Sequence, residues 1–236
     1  MIPILSFRDF KMRTLFLAAA IIGFSCLSTN AQFLHPKVNS KQTTVRTVVV
    51  MPAKVTVVRD SMKGPEGMAA ESDELSTRVE KMISEVLSKQ KNITSLAPPA
   101  PGTGSGDSQP NYSIADFQTK FDELLPKIMK KRSDVKKGRF SMGDEVLNLN
   151  LEKSTDAIVF IRGEGKKLTG GKTAFNYLVY GTPAYLTLRI GIVDARNGEV
   201  LLYTDPTFKG DPTTAIDRLR KALEKGLKKM PTVTAN

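Results

Sequence analysis

Val45-Arg46-Thr47-Val48-Val49-Val50-Met51-Pro52-Ala53-Lys54-Val55-Thr56-Val57-Val58-Arg59 is the stretch that decides the fold. Its two runs of β-branched residues read as strands, because branched side chains pack well on a pleated surface. Pro52 between them has no N–H for a sheet ladder, so the stretch reads as strand, break or bulge, strand. Asp60 to Gly67 supplies loop residues. From Leu75 the apolar positions Leu75, Val79, Met82, Ile83, Val86 and Leu87 return every 3.6 residues, with Glu, Lys and Ser on the other face. A strand followed by a helix with one apolar face predicts a sheet on which that helix packs.

The same alternation continues toward the carboxyl end. Ser113-Ile114-Ala115-Asp116 has the form of a capping box, and Ile114, Phe117, Phe121, Leu124, Leu125 and Ile128 follow at helical spacing, with a kink expected at Pro126. Val146 to Lys153 reads as a short helix, although Leu147, Leu149 and Leu151 suit a strand equally. Ala157 to Ile161 is a buried-strand run, Phe175 to Tyr180 and Tyr185 to Asp194 read as strands, and Asn197-Gly198 is a hairpin turn into Glu199 to Thr204. Asp211-Pro212 is placed to start a last helix whose buried stripe is Ile216, Leu219, Leu223 and Leu227. Interleaved strands and helices over 45–236 predict one α/β domain, a single mixed β-sheet with packed amphipathic helices. Residues 97–111, rich in Pro and Gly, form a loop within it.

Toward the amino end the pattern changes. Arg8, Lys11 and Arg13 precede an apolar run from Leu15 to Phe24, and Thr29-Asn30-Ala31 follows before Gln32. These are the three parts of a secretory signal peptide over 1–31, cut between Ala31 and Gln32. The apolar run is about half the ~20 residues a membrane-spanning helix needs. Met12 serves equally well as the start. Gly23-Phe24-Ser25-Cys26 offers a second processing, lipid attachment at Cys26, though an aliphatic residue is expected where Gly23 stands. Residues 32–44 lack periodicity and read as a flexible arm holding the lone histidine, His35, in solvent.

The 236 residues carry 35 basic and 24 acidic side chains, one Cys and one His, for a formal charge of +11. Without the leader, 32 basic and 23 acidic side chains remain, a formal +9. One His and one Cys exclude a multi-His or Cys/His metal site, a disulfide framework and a CxxC redox centre. No cofactor is expected. Gly163 to Thr173 ends in Gly-Lys-Thr like a phosphate-binding loop, but five residues separate Gly165 from Gly171 where the motif needs four, so a glycine hairpin is the reading. Ser133-Asp134-Val135-Lys136 matches a Ser-x-x-Lys spacing without the Lys-Thr-Gly that should accompany it. An enzyme would have to draw on Asp, Glu, Lys, Ser or Tyr from loops such as 163–173.

The densest charge feature is Lys127, Lys130, Lys131, Arg132, Lys136, Lys137 and Arg139, with Asp134 the only acid among them. Part of it suits the end of a helix, whose dipole favours cations there; the remainder does not. Together with Arg218, Arg220, Lys221, Lys225, Lys228 and Lys229 it makes a candidate cationic surface for anionic polymers or membranes. Aromatic residues interleaved with the basic run are missing, and the leader directs the chain away from the cytosol, so nucleic acid is not an expected partner.

Val48-Val49-Val50-Met51-Pro52, the long helix, Ser154-Thr155-Asp156-Ala157-Ile158-Val159 and Asp194-Ala195-Arg196-Asn197-Gly198-Glu199-Val200 together resemble bacterial envelope proteins of the curli-secretion lipoprotein type. That group includes the Lpo-type activators of penicillin-binding proteins and the amino-terminal domain of the Tol translocation component. The resemblance spans roughly residues 45–230. It implies an exported, periplasmic or outer-envelope, non-catalytic domain that binds other envelope proteins, with membrane contact only peripheral or through a lipid on Cys26. It offers no catalytic residues to carry over.

Overall fold

The computed structural model describes residues 32–61, 64–99, 113–149, 151–168 and 184–230. The leader, most of the 97–111 loop, the distal part of the 163–173 segment and the strand expected at 175–180 lie outside the described residues.

The two β-branched runs are strands β2 (Thr47–Val50) and β3 (Lys54–Ser61), separated at Pro52 as expected. Both lie parallel to the same long strand, β6 (Ala157–Leu168): Val49 pairs with Ile158, and Val57 with Gly165. Pro52 therefore sits at the step where one strand ends and the next takes over on a shared neighbour. β4 (Gly64–Gly67) turns back antiparallel on β3, so Asp60–Gly67, expected as loop, is largely strand. Helix α2 (Ala69–Lys91) follows, after a short α1 (Pro36–Asn39). The sheet is completed by β1 (Gln32–Leu34), β5 (Thr94–Leu96), β7 (Tyr185–Asp194), β8 (Val200–Thr204) and β9 (Thr207–Lys209). Its main order is β1-β8-β7-β6-β2-β5, antiparallel from β1 to β6 and parallel from β6 to β5. This is the single mixed sheet the sequence predicts.

Side chains alternate across that sheet, and each face has its own core. Val48, Val50, Val159, Ile161 and Ile190 pack under α2 and α4 (Ile216–Gly226), which contribute Leu75, Val79, Ile83, Leu87, Leu219 and Leu223. Val49, Ile158, Phe160 and Tyr203 pack under α3 (Ile114–Lys130), through Phe117, Phe121, Leu125 and Ile128. Each such buried side chain stabilises the fold by about 1.5–3 kcal/mol relative to exposure. Gly191 makes room for this packing, since a Cβ there would stand 2.5 Å from the Phe121 ring, which stacks on Phe160. The capping box is present: the Asp116 N–H donates to Ser113 Oγ, and the Ser113 N–H donates to Asp116 Oδ2. α3 continues past Pro126 to Lys130.

Four local expectations are corrected. Residues 32–44 are not a loose arm: β1 pairs antiparallel with β8, and His35 is 4% exposed. The apolar residues of β1 are only Phe33 and Leu34, and with Val38 of α1 they make too short a signal for periodicity to register. Gly163 and Gly165 lie inside β6 rather than in a hairpin. A Cβ on Gly163 would stand 2.9 Å from both Leu188 and Val55, so close side-chain packing across the strand, not a turn, demands glycine there. Asp211-Pro212 forms a turn, in which Asp211 Oδ1 accepts from the Thr213 N–H, and the helix itself begins at Ile216. The short helix expected at 146–153 is a 3₁₀ helix over Asp144–Leu149.

Candidate functional site

Both sheet faces carry a helix that runs toward the β1 edge. On one face α3 starts beside β3 and β6, where Gln118 Nε2 donates to the Pro52 carbonyl and Arg162 Nη2 donates to the Gln118 carbonyl. Arg162 is nearly buried and pairs with Asp122, which pins this end of the helix to the sheet. The far end passes into a 3₁₀ helix, Arg132–Lys137, that packs on β1 and β8. On the other face α4 starts after a turn tied to α2 and β6, through the Arg78 bond to the Thr213 carbonyl and the Lys167 bond to Thr213 Oγ1. It ends against β1: Gln32 Nε2 donates to the Lys225 carbonyl, and the Lys229 N–H donates to Gln32 Oε1 at 3.0 Å.

The consequence is a cationic rim. Lys127, Lys130, Lys131, Lys136, Lys137 and Arg139 are exposed on one side of β1, and Lys221, Lys225, Lys228 and Lys229 on the other. The helix dipoles account for Lys127, Lys130 and Lys225, which stand in last turns. Lys136, Lys137 and Arg139 lie beyond the end of α3, and Lys228 and Lys229 beyond the end of α4, outside that explanation. Lys136 Nζ lies 5.6 Å from the centre of the Phe33 ring on β1, which sets the run beside the edge strand.

The members differ in role. Arg132 is structural: its Nη2 lies 2.9 Å from Asp205 Oδ2, a carboxylate only 10% exposed. Burial pushes the Asp205 carboxyl up from its ordinary range, against the pull of Arg132. Asp134 takes Lys137 at 3.5 Å and Arg139 at 3.6 Å. Both cations are exposed and stand at the long end of ion-pair range from a half-buried carboxylate, so both remain available to a partner. Among the described residues no ion pair engages Lys127, Lys130 or Lys131. Arg220, expected in the same surface, instead pairs with Glu85 of α2 at 2.9 Å. Gln32 is the first described residue and opens β1; Ala31 and Cys26 lie outside the described residues.

His35 sits beneath this rim. Its Nδ1 accepts from the Lys37 N–H at 3.2 Å, and its ring fills the space a Cβ on Gly138 would need, 2.5 Å from Nε2. Gly138 has φ +65°, which closes the 3₁₀ helix in a left-handed conformation. Burial holds the His35 pKa below its ordinary value, although Glu199 pulls the other way from 3.9 Å. Glu199 itself is held by Lys37 at 2.6 Å. The role of His35 is therefore to fasten β1 to the segment that carries the lysines.

The residues behind the envelope-protein resemblance also have structural work. Asp156 Oδ2 accepts from the N–H groups of Arg46 and Thr47, and its Oδ1 faces Arg196, so one carboxylate ties the entries of β2 and β6 to the β7–β8 turn. Gly198 turns that hairpin at φ +72°. Among the described residues no group of three or more His, Cys, Asp or Glu is placed to hold a metal ion, and no helix is long and apolar enough to cross a membrane.

No family model and no curated protein matches this chain. Among solved structures it is similar to the PelC dodecamer from Paraburkholderia phytofirmans, at 10% identity and a TM-score of 0.37, over 81% of this chain and 90% of that one. It is also similar to the lipoprotein GNA1162 from Neisseria meningitidis, at 14% identity and a TM-score of 0.32, over 79% of this chain and 99% of that one.

Proposed function

We propose that this is an exported, non-catalytic protein of the bacterial cell envelope that works by binding, and that the rim around β1 is its contact surface for anionic envelope components. One observation carries the reading. Two basic clusters about 90 residues apart in sequence are brought to the two sides of one edge strand by helices on opposite faces of the sheet. Scattered solvating lysines have no need to converge, whereas a shared edge sums their potentials over one surface and attracts a polyanion from a distance. The leader-like segment before Gln32 supports export.

Retention on an immobilised anionic polymer tests this. Retention weakens as salt rises, and it falls when Lys130, Lys131, Lys136 and Lys137 become Gln and again when Lys225, Lys228 and Lys229 become Gln. A control with Lys54, Lys81 and Lys89 changed to Gln elutes with the unaltered protein. Equal loss in the control would mean that net charge, not the rim, binds.

A further inference from the structure

The polypeptide enters the fold at the rim itself. Gln32 lies on β1, bonded on one side to the end of α4, while its neighbour Phe33 carries Lys136 on the other face. Whatever precedes Gln32 therefore leaves the domain from the centre of its most cationic edge. Five residues separate Cys26 from Gln32, a reach of at most about 20 Å. A lipid on Cys26 would hold the rim within that distance of a bilayer, and a leader still held in a membrane would do nearly the same.

From this geometry we infer, resting on the rim reading above, that the anionic partner is a lipid bilayer surface. The domain stands on it with the β1 edge down and the β3–β4 hairpin away from it. The rim lysines have the form such a surface selects: long side chains on both flanks of one edge, where Asp134 and Asp205 are paired with Arg139 and Arg132 and Glu224 is the acid that stands among the lysines of α4. One acyl chain alone gives marginal, reversible membrane binding, and a basic patch beside it is the kind of second contact that makes the attachment stable. Each lysine near an anionic leaflet contributes about fivefold in apparent affinity.

The test uses the full chain with phosphatidylcholine vesicles, with or without phosphatidylglycerol. The protein contains no Trp, so single probes are free of background. Ser133→Trp places one within the rim, and Glu66→Trp places one on the far hairpin; both positions are exposed. Vesicles containing phosphatidylglycerol are expected to bind the chain in a salt-sensitive way. Brominated lipid should quench Ser133→Trp and spare Glu66→Trp, and each rim lysine changed to Gln should weaken binding about fivefold. Equal binding to neutral vesicles, or equal quenching of both probes, overturns the inference. Retention on soluble anionic polymer without binding to anionic vesicles overturns it too and leaves the rim reading standing. Binding to neither removes both.

Discussion

Two edges of the sheet solve the same problem in different ways. A strand edge exposes unpaired N–H and C=O groups and invites pairing with other chains. On β3 the stretch before Val58, where β4 takes over the pairing, is sealed by α2: Val57 N–H donates to Ser72 Oγ, Val55 N–H to Ser76 Oγ, and the preceding Ala53 N–H to Glu80 Oε2, at 2.9, 2.9 and 3.3 Å. Residues four apart on a helix stand in line, matching the alternate residues of a strand whose N–H groups face the same way. Each serine hydroxyl also donates to the carbonyl four residues back in its own helix. β1 has no such seal over its three residues. It is flanked instead by lysines from both faces. The first edge is closed to partners by side-chain hydrogen bonds from its covering helix, and the second is guarded by charge that repels its own kind and attracts anions. A difference in chemistry thus marks a difference in use.

Breaking the sealed edge gives the largest expected change in stability. Ser72→Ala with Ser76→Ala leaves two N–H groups of β3 without partners, at a cost of about 1–3 kcal/mol each. Urea denaturation should show that loss, and sedimentation should show new self-association through the opened edge. A double variant as stable and as monomeric as the parent would mean that α2 does not seal β3.

A smaller loss is expected where the charged edge is fastened. Gly138→Ala places a Cβ against the His35 ring and forces a left-handed conformation on a residue with a side chain, costing about 2 kcal/mol. Thermal unfolding measures this directly, and an unchanged midpoint would contradict the packing of His35 under the 3₁₀ helix.

The same contact gives a pH dependence. The groups facing His35 are Glu199, Lys37 and Asp194, and burial dominates them, so its folded pKa lies below 6.5. The unfolded chain then binds the proton more readily. Stability should be full above pH 6.5 and fall as the pH drops through 6.5 toward the folded value. Denaturant midpoints taken across that window should slope for the parent and flatten for His35→Gln.

The smallest expected effect on stability separates fold from function. Changing Lys130, Lys131, Lys136 and Lys137 to Gln should move stability by no more than about 0.5 kcal/mol, because these side chains are exposed, while anion retention drops sharply. A large destabilisation would turn the rim into a structural feature.

Much of this fold was legible in the residues themselves. Val48 to Val58 announced two strands and a break, and Leu75 to Leu87 announced the helix that covers them, because side-chain periodicity is a local property. β1 was not legible, since three residues that gain their order from β8, some 170 positions away, leave no periodic trace. Gly163 and Gly165 misled because glycine marks a close approach across strands as readily as it marks a turn. The basic cluster was plain in the sequence, and so was the charge of the last helix. Their meeting at one edge was not, because it depends on the direction in which α3 and α4 cross the sheet. What joins them is Gln32 and Phe33, two ordinary residues in a segment that reads as a flexible arm.

Lysine acetylation, read by mass spectrometry with and without envelope membranes, tests the central claim most directly. The account predicts that Lys127, Lys130, Lys131, Lys136 and Lys137 become protected together with Lys225 and Lys229, while Lys54, Lys81 and Lys89 react as before. Protection confined to one cluster, or spread evenly over all of these lysines, would contradict it.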